Sequence, residues 1–312
     1  MIAHERGTPG AAWDALALSV PLVNAPMGGA AGGRLASAVT AAGGLGMIGM
    51  GSYGTAEALA DELDHMDAGG GPFGIGLVDW VVRRNRHLLD VAIDAHPALL
   101  SVSFGAQWEW VDAAHAAGIL TATQIYNPDE ARRAQDAGVD VVVARGAEGG
   151  GHGAPELGML PLLDAVLGAV SVPVLAAGGI ASPRSVAGVL AAGASGVWVG
   201  TALAACTESL TSEWTRAAMI TARSIDTVVT SAYDAALGLA WPARFPARVL
   251  RTERSRHGDQ RGADTRSCTN VAACRVGSTT SVPVDAGQGV GLVTAVESVS
   301  EVVARLFPCR LG

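Results

Sequence analysis

"VPVLAAGGIASPRSVAGVLAAGASGVWVGTALA", residues 172–204, holds one full repeat of this chain's architecture. A short apolar run ends at Gly178-Gly179, and Ser182 and Pro183 then fit the N-cap and first turn of a helix. The amphipathic stretch closes on Ala192-Gly193, where glycine supplies the left-handed residue that ends a helix. A second apolar run follows, "GVWVG", residues 196–200. A helix of this length between two buried apolar strands makes the strands parallel neighbours.

The same unit recurs on the N-terminal side. Apolar runs stand at 22–28, 45–51, 73–80, 99–105, 119–126 and 139–146, joining those at 172–180 and 196–204. Asn127-Pro128 opens a helix as Ser182-Pro183 does, and Ala42-Gly43, Ala117-Gly118 and Ala137-Gly138 each close one before the next strand. Eight strands alternating with helices between residues 22 and 204 predict an α/β fold, a closed (β/α)8 TIM barrel. An open, doubly wound sheet is the competing arrangement.

After the eighth strand the period changes. Residues 1–250 are assigned to the barrel, with helical material over 205–250. Residues 251–282 read as a polar, mobile segment, and 283–312 as a turn and one amphipathic helix packed on the barrel. This makes a C-terminal helical and irregular extension, with no second core evident.

Composition narrows the function classes. Of the 312 residues 49% are apolar and 16% charged, enough apolar material for a large core. The net charge is −8 and no lysine occurs, which disfavours nucleic acid as a partner. The uncharged runs 165–183 and 185–207 are long enough to span a bilayer but are broken by glycine and proline. They read as buried parallel strands with their helices, so the expectation is a soluble, cytoplasmic protein. Cys206, Cys268, Cys274 and Cys309 form no Cys-x-x-Cys pair, and no His, Asp and Glu cluster stands at the strand ends, so no metal is expected.

In such a barrel, chemistry sits on the loops after the strand C-termini. The loop after the sixth strand, "ARGAEGGGHGAP" (144–155), puts His152 on that face among Gly149, Gly150, Gly151 and Gly153. The turns after strands seven and eight, Ala177-Gly178-Gly179 and Val199-Gly200-Thr201, read as a phosphate cradle of backbone N–H donors and one hydroxyl. Neither a P-loop nor a dinucleotide fingerprint is present.

Together "NAPMGGAAGGRLASAVTAAGGLGMIG" (24–49), "ARGAEGGGHG" (144–153), the 172–209 stretch and "PVDAGQGVGLV" (283–293) resemble the nitronate monooxygenase family, also called 2-nitropropane dioxygenases. The resemblance implies FMN as cofactor, with its phosphate after strands seven and eight. It also implies oxidation of small alkyl nitronates with O2. The family's motif histidine falls on His152, as a base or hydrogen-bonding partner, a role suited to an imidazole. The turn Ala25-Pro26-Met27-Gly28, with Gln124, Arg145, Gly150 and Gly151, completes the implied flavin surround. Two positions depart from the family: Gly76 stands where members carry asparagine, and Arg145 where they carry glutamine. Both bear on electron transfer and substrate more than on FMN binding. Flavin-dependent enoyl-acyl-carrier-protein reductases share the barrel and the Gly-Gly-His loop, and a flavin-binding protein without turnover is the third alternative. A monomer or a homodimer is expected.

Overall fold

The computed structural model describes residues 10–67, 69, 71–252 and 282–308. Eight parallel strands form one sheet: β1 (Leu22–Asn24), β2 (Gly46–Gly49), β3 (Phe73–Val78), β4 (Leu99–Ser103), β5 (Leu120–Ile125), β6 (Val141–Arg145), β8 (Val174–Ala177) and β9 (Gly196–Val199). Their order, β1-β9-β8-β6-β5-β4-β3-β2, is that of a (β/α)8 barrel. Each lies within a run expected from the sequence.

The helix signals are obeyed residue by residue. Helix Pro128–Asp136 begins with the Asn127 side chain accepting from the Glu130 N–H, and Pro183–Ala191 begins with a capping box between Ser182 and Ser185. Gly43, Gly118, Gly138 and Gly193 all have φ between 75° and 109°, the left-handed conformation a helix end demands.

Both strand faces are covered, so nearly every strand residue is buried. Val23, Met47, Leu99, Val141, Val143, Leu175 and Trp198 fill the barrel interior, and Trp13 packs with them. A larger layer, including Leu35, Ile48, Leu89, Val142 and Val197, lies between strands and helices.

The β1–β2 seam has a single backbone bridge, Val23 to Leu45. Asn24 substitutes for the missing ladder: its Nδ2 donates to Met47 O at 2.8 Å, and its Oδ1 accepts from the Met47 N–H at 2.6 Å. Asn24 has no exposed surface. Asn24→Ala leaves two buried backbone groups unpaired and is expected to cost about 2–4 kcal/mol. Thermal unfolding checks this: an unchanged Tm would show that the seam holds without it.

The region after the barrel departs from the helical expectation for 205–250. Besides helices Glu213–Thr221 and Ala232–Leu237 it contributes β10 (Thr227–Thr230) and β11 (Ala247–Leu250), antiparallel to each other. β11 also pairs with β7 (Gly151–His152), the two-residue strand in the loop after β6. A β-branched run, Thr227-Val228-Val229-Thr230, drives this sheet, and the glycine loop supplies its third edge.

The segment expected to be polar and mobile lies, over 253–281, outside the described residues. On either side of it, the Leu250 N–H donates to Val284 O at 2.8 Å, so the chain re-enters beside the strand it left. Helix Val299–Leu306 starts with a Ser298–Glu301 capping box, and its Arg305 donates to Ala181 O, tying it to the loop after β8.

Candidate active site

The loop after β6 is organised from below by Arg145, the last residue of the strand. Its buried guanidinium donates through one terminal nitrogen to the carbonyls of Gly149, Gly150 and Gly151 at 3.0, 2.9 and 3.0 Å. A side chain at Gly153 would overlap that guanidinium, which is why glycine stands there. Burial pulls the Arg145 pKa below its ordinary value, opposed by Tyr126, Asp285 and Glu148. Glu148 fixes the other side of the loop: its carboxylate accepts from the Met159 N–H, and its carbonyl from the Gln288 N–H at 2.8 Å.

His152 emerges from this loop with its imidazole held on two sides. Nε2 lies 3.0 and 3.1 Å from the two carboxylate oxygens of Asp234, on helix Ala232–Leu237. One face of the ring is stacked on Trp241, centroids 3.6 Å apart and planes within 6°. The Trp241 Nε1–H donates to Ser52 Oγ at 2.9 Å, and the indole meets Trp80 and Phe104 edge to face at 5.7 and 4.9 Å.

Residues 241–246 thus form a strap over the barrel mouth. Trp241 anchors it to the loop after β2. Arg244 anchors it on the far side through ion pairs with Glu130 and Glu156. Phe245 sits between Phe104 and Tyr126. Phe104 has φ of +71°, a strained conformation for a bulky residue, at the end of β4 beneath the strap. The His152 side chain retains 15% exposure, so the imidazole is largely enclosed.

The glycine turns converge beside it. Gly178 and Gly179, directly after β8, have φ of +108° and +71°, and the space at Gly178 is bounded by the backbone of Gly146 and Gly149. At Gly200 a side chain would meet Met27 Sδ and Ala25 Cβ at 3.4 and 3.6 Å, so the first-strand turn adjoins the eighth barrel strand. The Ala25 N–H donates to Val199 O at 2.8 Å. Thr201 Oγ1 accepts from the Gly287 N–H at 3.0 Å, which leaves its hydroxyl hydrogen free to donate. Gly150 packs backbone to backbone against Ala286 and Gly287.

The structure therefore brings together Ala25, Met27, Val199, Gly200 and Thr201 on one side, and Arg145, Gly150, Gly151, His152, Ala177, Gly178 and Gly179 on the other. Gln124 lies one strand away, opposite Val143, with its Oε1 3.5 Å from the Tyr126 hydroxyl. Gly28 packs on Gly51. The Pro26 ring fills the space that a side chain at Gly76 would need.

Asp234, Trp241 and Asp285 were not singled out by the sequence. The first is 82 residues from His152, and no motif spacing marks it. Asp285, inside "PVDAGQG", bridges Val249 of β11 and faces Gly151. The residue is exposed to solvent, and its carboxylate stands close to the Gly151 backbone. Burial raises its pKa; His152 and Arg145 pull it down, and Asp234 pushes it up.

A carboxyl with a raised folded-state pKa favours folding most below the unfolded value, and that contribution is lost as pH rises through the folded one. Asp285→Asn is accordingly expected to gain Tm over the parent as the pH is raised from about 4 to about 7. Thermal melts at the two pH values check this; a gap that does not open with pH would contradict it.

Away from this face, a recess of about 220 Å³ lies at the opposite end of the barrel, lined by Leu16, Leu18, Ser19, Thr40 and Pro72 among others. It holds no titratable side chain and is remote from the chemistry. Among the described residues no cluster of His, Cys, Asp or Glu is arranged to hold a metal, and no helix is long and apolar enough to cross a membrane.

A closed parallel barrel with a histidine and glycine turns on its C-terminal face is an enzyme architecture. The comparisons make it specific. A model of the nitronate monooxygenase family matches residues 10–80 and 80–308. A probable nitronate monooxygenase from Staphylococcus aureus is 31% identical over 278 residues, covering 74% of this chain and 77% of that protein. The solved structure of a nitroalkane oxidase from Streptomyces ansochromogenes superposes with a TM-score of 0.81 at 29% identity, covering 96% of this chain and 99% of that one. FabK from Thermotoga maritima superposes with a TM-score of 0.79 at 28% identity, covering 95% and 94%. The chain belongs to the nitronate monooxygenase family and is an oxidoreductase.

Proposed function

We propose that this enzyme binds FMN and oxidises small alkyl nitronates with O2. The observation behind this reading is the enclosed His152, held by Asp234 and Trp241, beside turns free of side chains after β8 and β9. Those turns fit the phosphate of FMN: left-handed Gly178 and Gly179 present bare backbone, Gly200 adds no side chain, and the Thr201 hydroxyl is oriented by Gly287. Arg145 contributes a buried positive charge under the same loop, favourable to a ligand that becomes anionic on reduction. Bound there, FMN would supply the redox chemistry between substrate and O2.

The remaining chemistry is the chain's own. His152 hydrogen-bonds the anionic nitronate, or takes the proton from the carbon next to the nitro group of the neutral nitroalkane. The strap of residues 241–246 excludes water from the imidazole and makes the approach aromatic and narrow.

The likeness to FabK supports a second reading, reduction of an enoyl thioester by a nicotinamide donor. The strap weighs against it, because Trp241 lies on His152 where an extended acyl chain needs room. Oxygen uptake separates the two. Nitronate-dependent uptake without a nicotinamide is the expected result; NADPH-dependent reduction of an enoyl thioester, with no uptake on nitronate, would establish the second.

A further inference from the structure

We infer that Asp234 is a positioning residue that holds His152 as its Nε2–H tautomer, so that Nδ1 is the nitrogen that acts on substrate. An ionised carboxylate only accepts hydrogen bonds, and both its oxygens stand within 3.1 Å of Nε2, so Nε2 is the donor. A neutral imidazole carries one N–H, which leaves the lone pair on Nδ1. Among the described residues no partner engages Nδ1.

The stack on Trp241 holds the plane of the ring, and the indole is itself tied to Ser52, so turning the imidazole out of that plane would lose the stack. The other charged groups around the imidazole are Asp285 and Arg145. Arg145 is committed to the loop carbonyls, so Asp234 is the group in hydrogen-bond contact.

The role of Nδ1 as base rests on the nitronate reading. In that step the C–H bond beside the nitro group breaks, its electron pair moves onto the nitro group, and the proton forms a new bond to Nδ1. The imidazolium so formed still donates Nε2–H to Asp234, whose charge stabilises it. No electron leaves the substrate in this step.

Histidine-selective 15N labelling of the chain without added flavin reads the tautomer directly, above the imidazole's titration range. The parent is expected to show His152 protonated at Nε2. Asp234→Asn, which keeps shape but can donate from its amide, is expected to shift His152 toward the Nδ1–H form. In the FMN-loaded enzyme the same variant is expected to lower kcat on a neutral nitroalkane by about 10- to 100-fold, with KM and Tm nearly unchanged. Asp234→Glu is expected to restore the parent tautomer. A parent protonated at Nδ1, or an Asn variant with the parent's tautomer and kcat, would overturn the proposal. The expected tautomers in an enzyme that does not turn over any nitroalkane or nitronate would instead overturn the reaction assigned here, and with it the base.

Discussion

His152→Ala is expected to lower turnover on a small nitroalkane by about 10²–10⁴-fold, the usual contribution of a positioned acid or base. The variant should still bind FMN, because the imidazole is not part of the cradle around Gly178, Gly179, Gly200 and Thr201. It should also fold, though the loss of the Asp234 hydrogen bond and the Trp241 stack lowers Tm. Turnover on the preformed nitronate should fall less, since no proton leaves carbon there. Stopped-flow reduction with both substrates checks the prediction. Equal losses on the two would assign His152 to binding and orientation rather than to proton transfer.

The second large effect concerns the cradle. Gly200→Asp is expected to weaken FMN binding by roughly three powers of ten. A carboxylate about 4 Å from a phosphate charge, at an effective dielectric near 20, costs about 4 kcal/mol. The fold should tolerate the change, because Gly200 has φ of −105° and its would-be Cβ neighbours, Met27 Sδ and Ala25 Cβ, stand at 3.4 and 3.6 Å. Gly200→Ala provides the control, with the same atom added and no charge. Flavin titration by fluorescence compares the two. If both variants bind FMN as the parent does, the phosphate lies elsewhere and the cradle is a packing feature only.

The barrel was legible because each of its signals is local. An N-cap such as Asn127 or Ser182, a first-turn proline and a left-handed glycine act within a few residues of themselves. The glycine turns after β8 and β9 were legible for the same reason, since a strand end and the following turn are contiguous. The walls around His152 were not. Asp234 and Trp241 come from beyond the barrel, and they reach the site only because β11 pairs with a two-residue strand inside the glycine loop. Nothing in the spacing of His152 to Asp234 announces that pairing. The seam clip of Asn24 was equally silent: a polar residue ending a strand looks like a turn until the missing ladder next to it is seen. Gly76 read as a departure, and the Pro26 ring packed over it comes from the turn after β1, out of reach of any local signal.

The central claim is that the cradle and His152 serve one bound flavin and one small nitronate. The direct measurement is the visible spectrum of the chain with FMN, followed anaerobically while a simple alkyl nitronate is added and then on admitting air. Flavin bands that bleach with the nitronate and return with oxygen are the predicted result. A bound flavin that nitronate leaves unchanged and NADPH bleaches would contradict the claim.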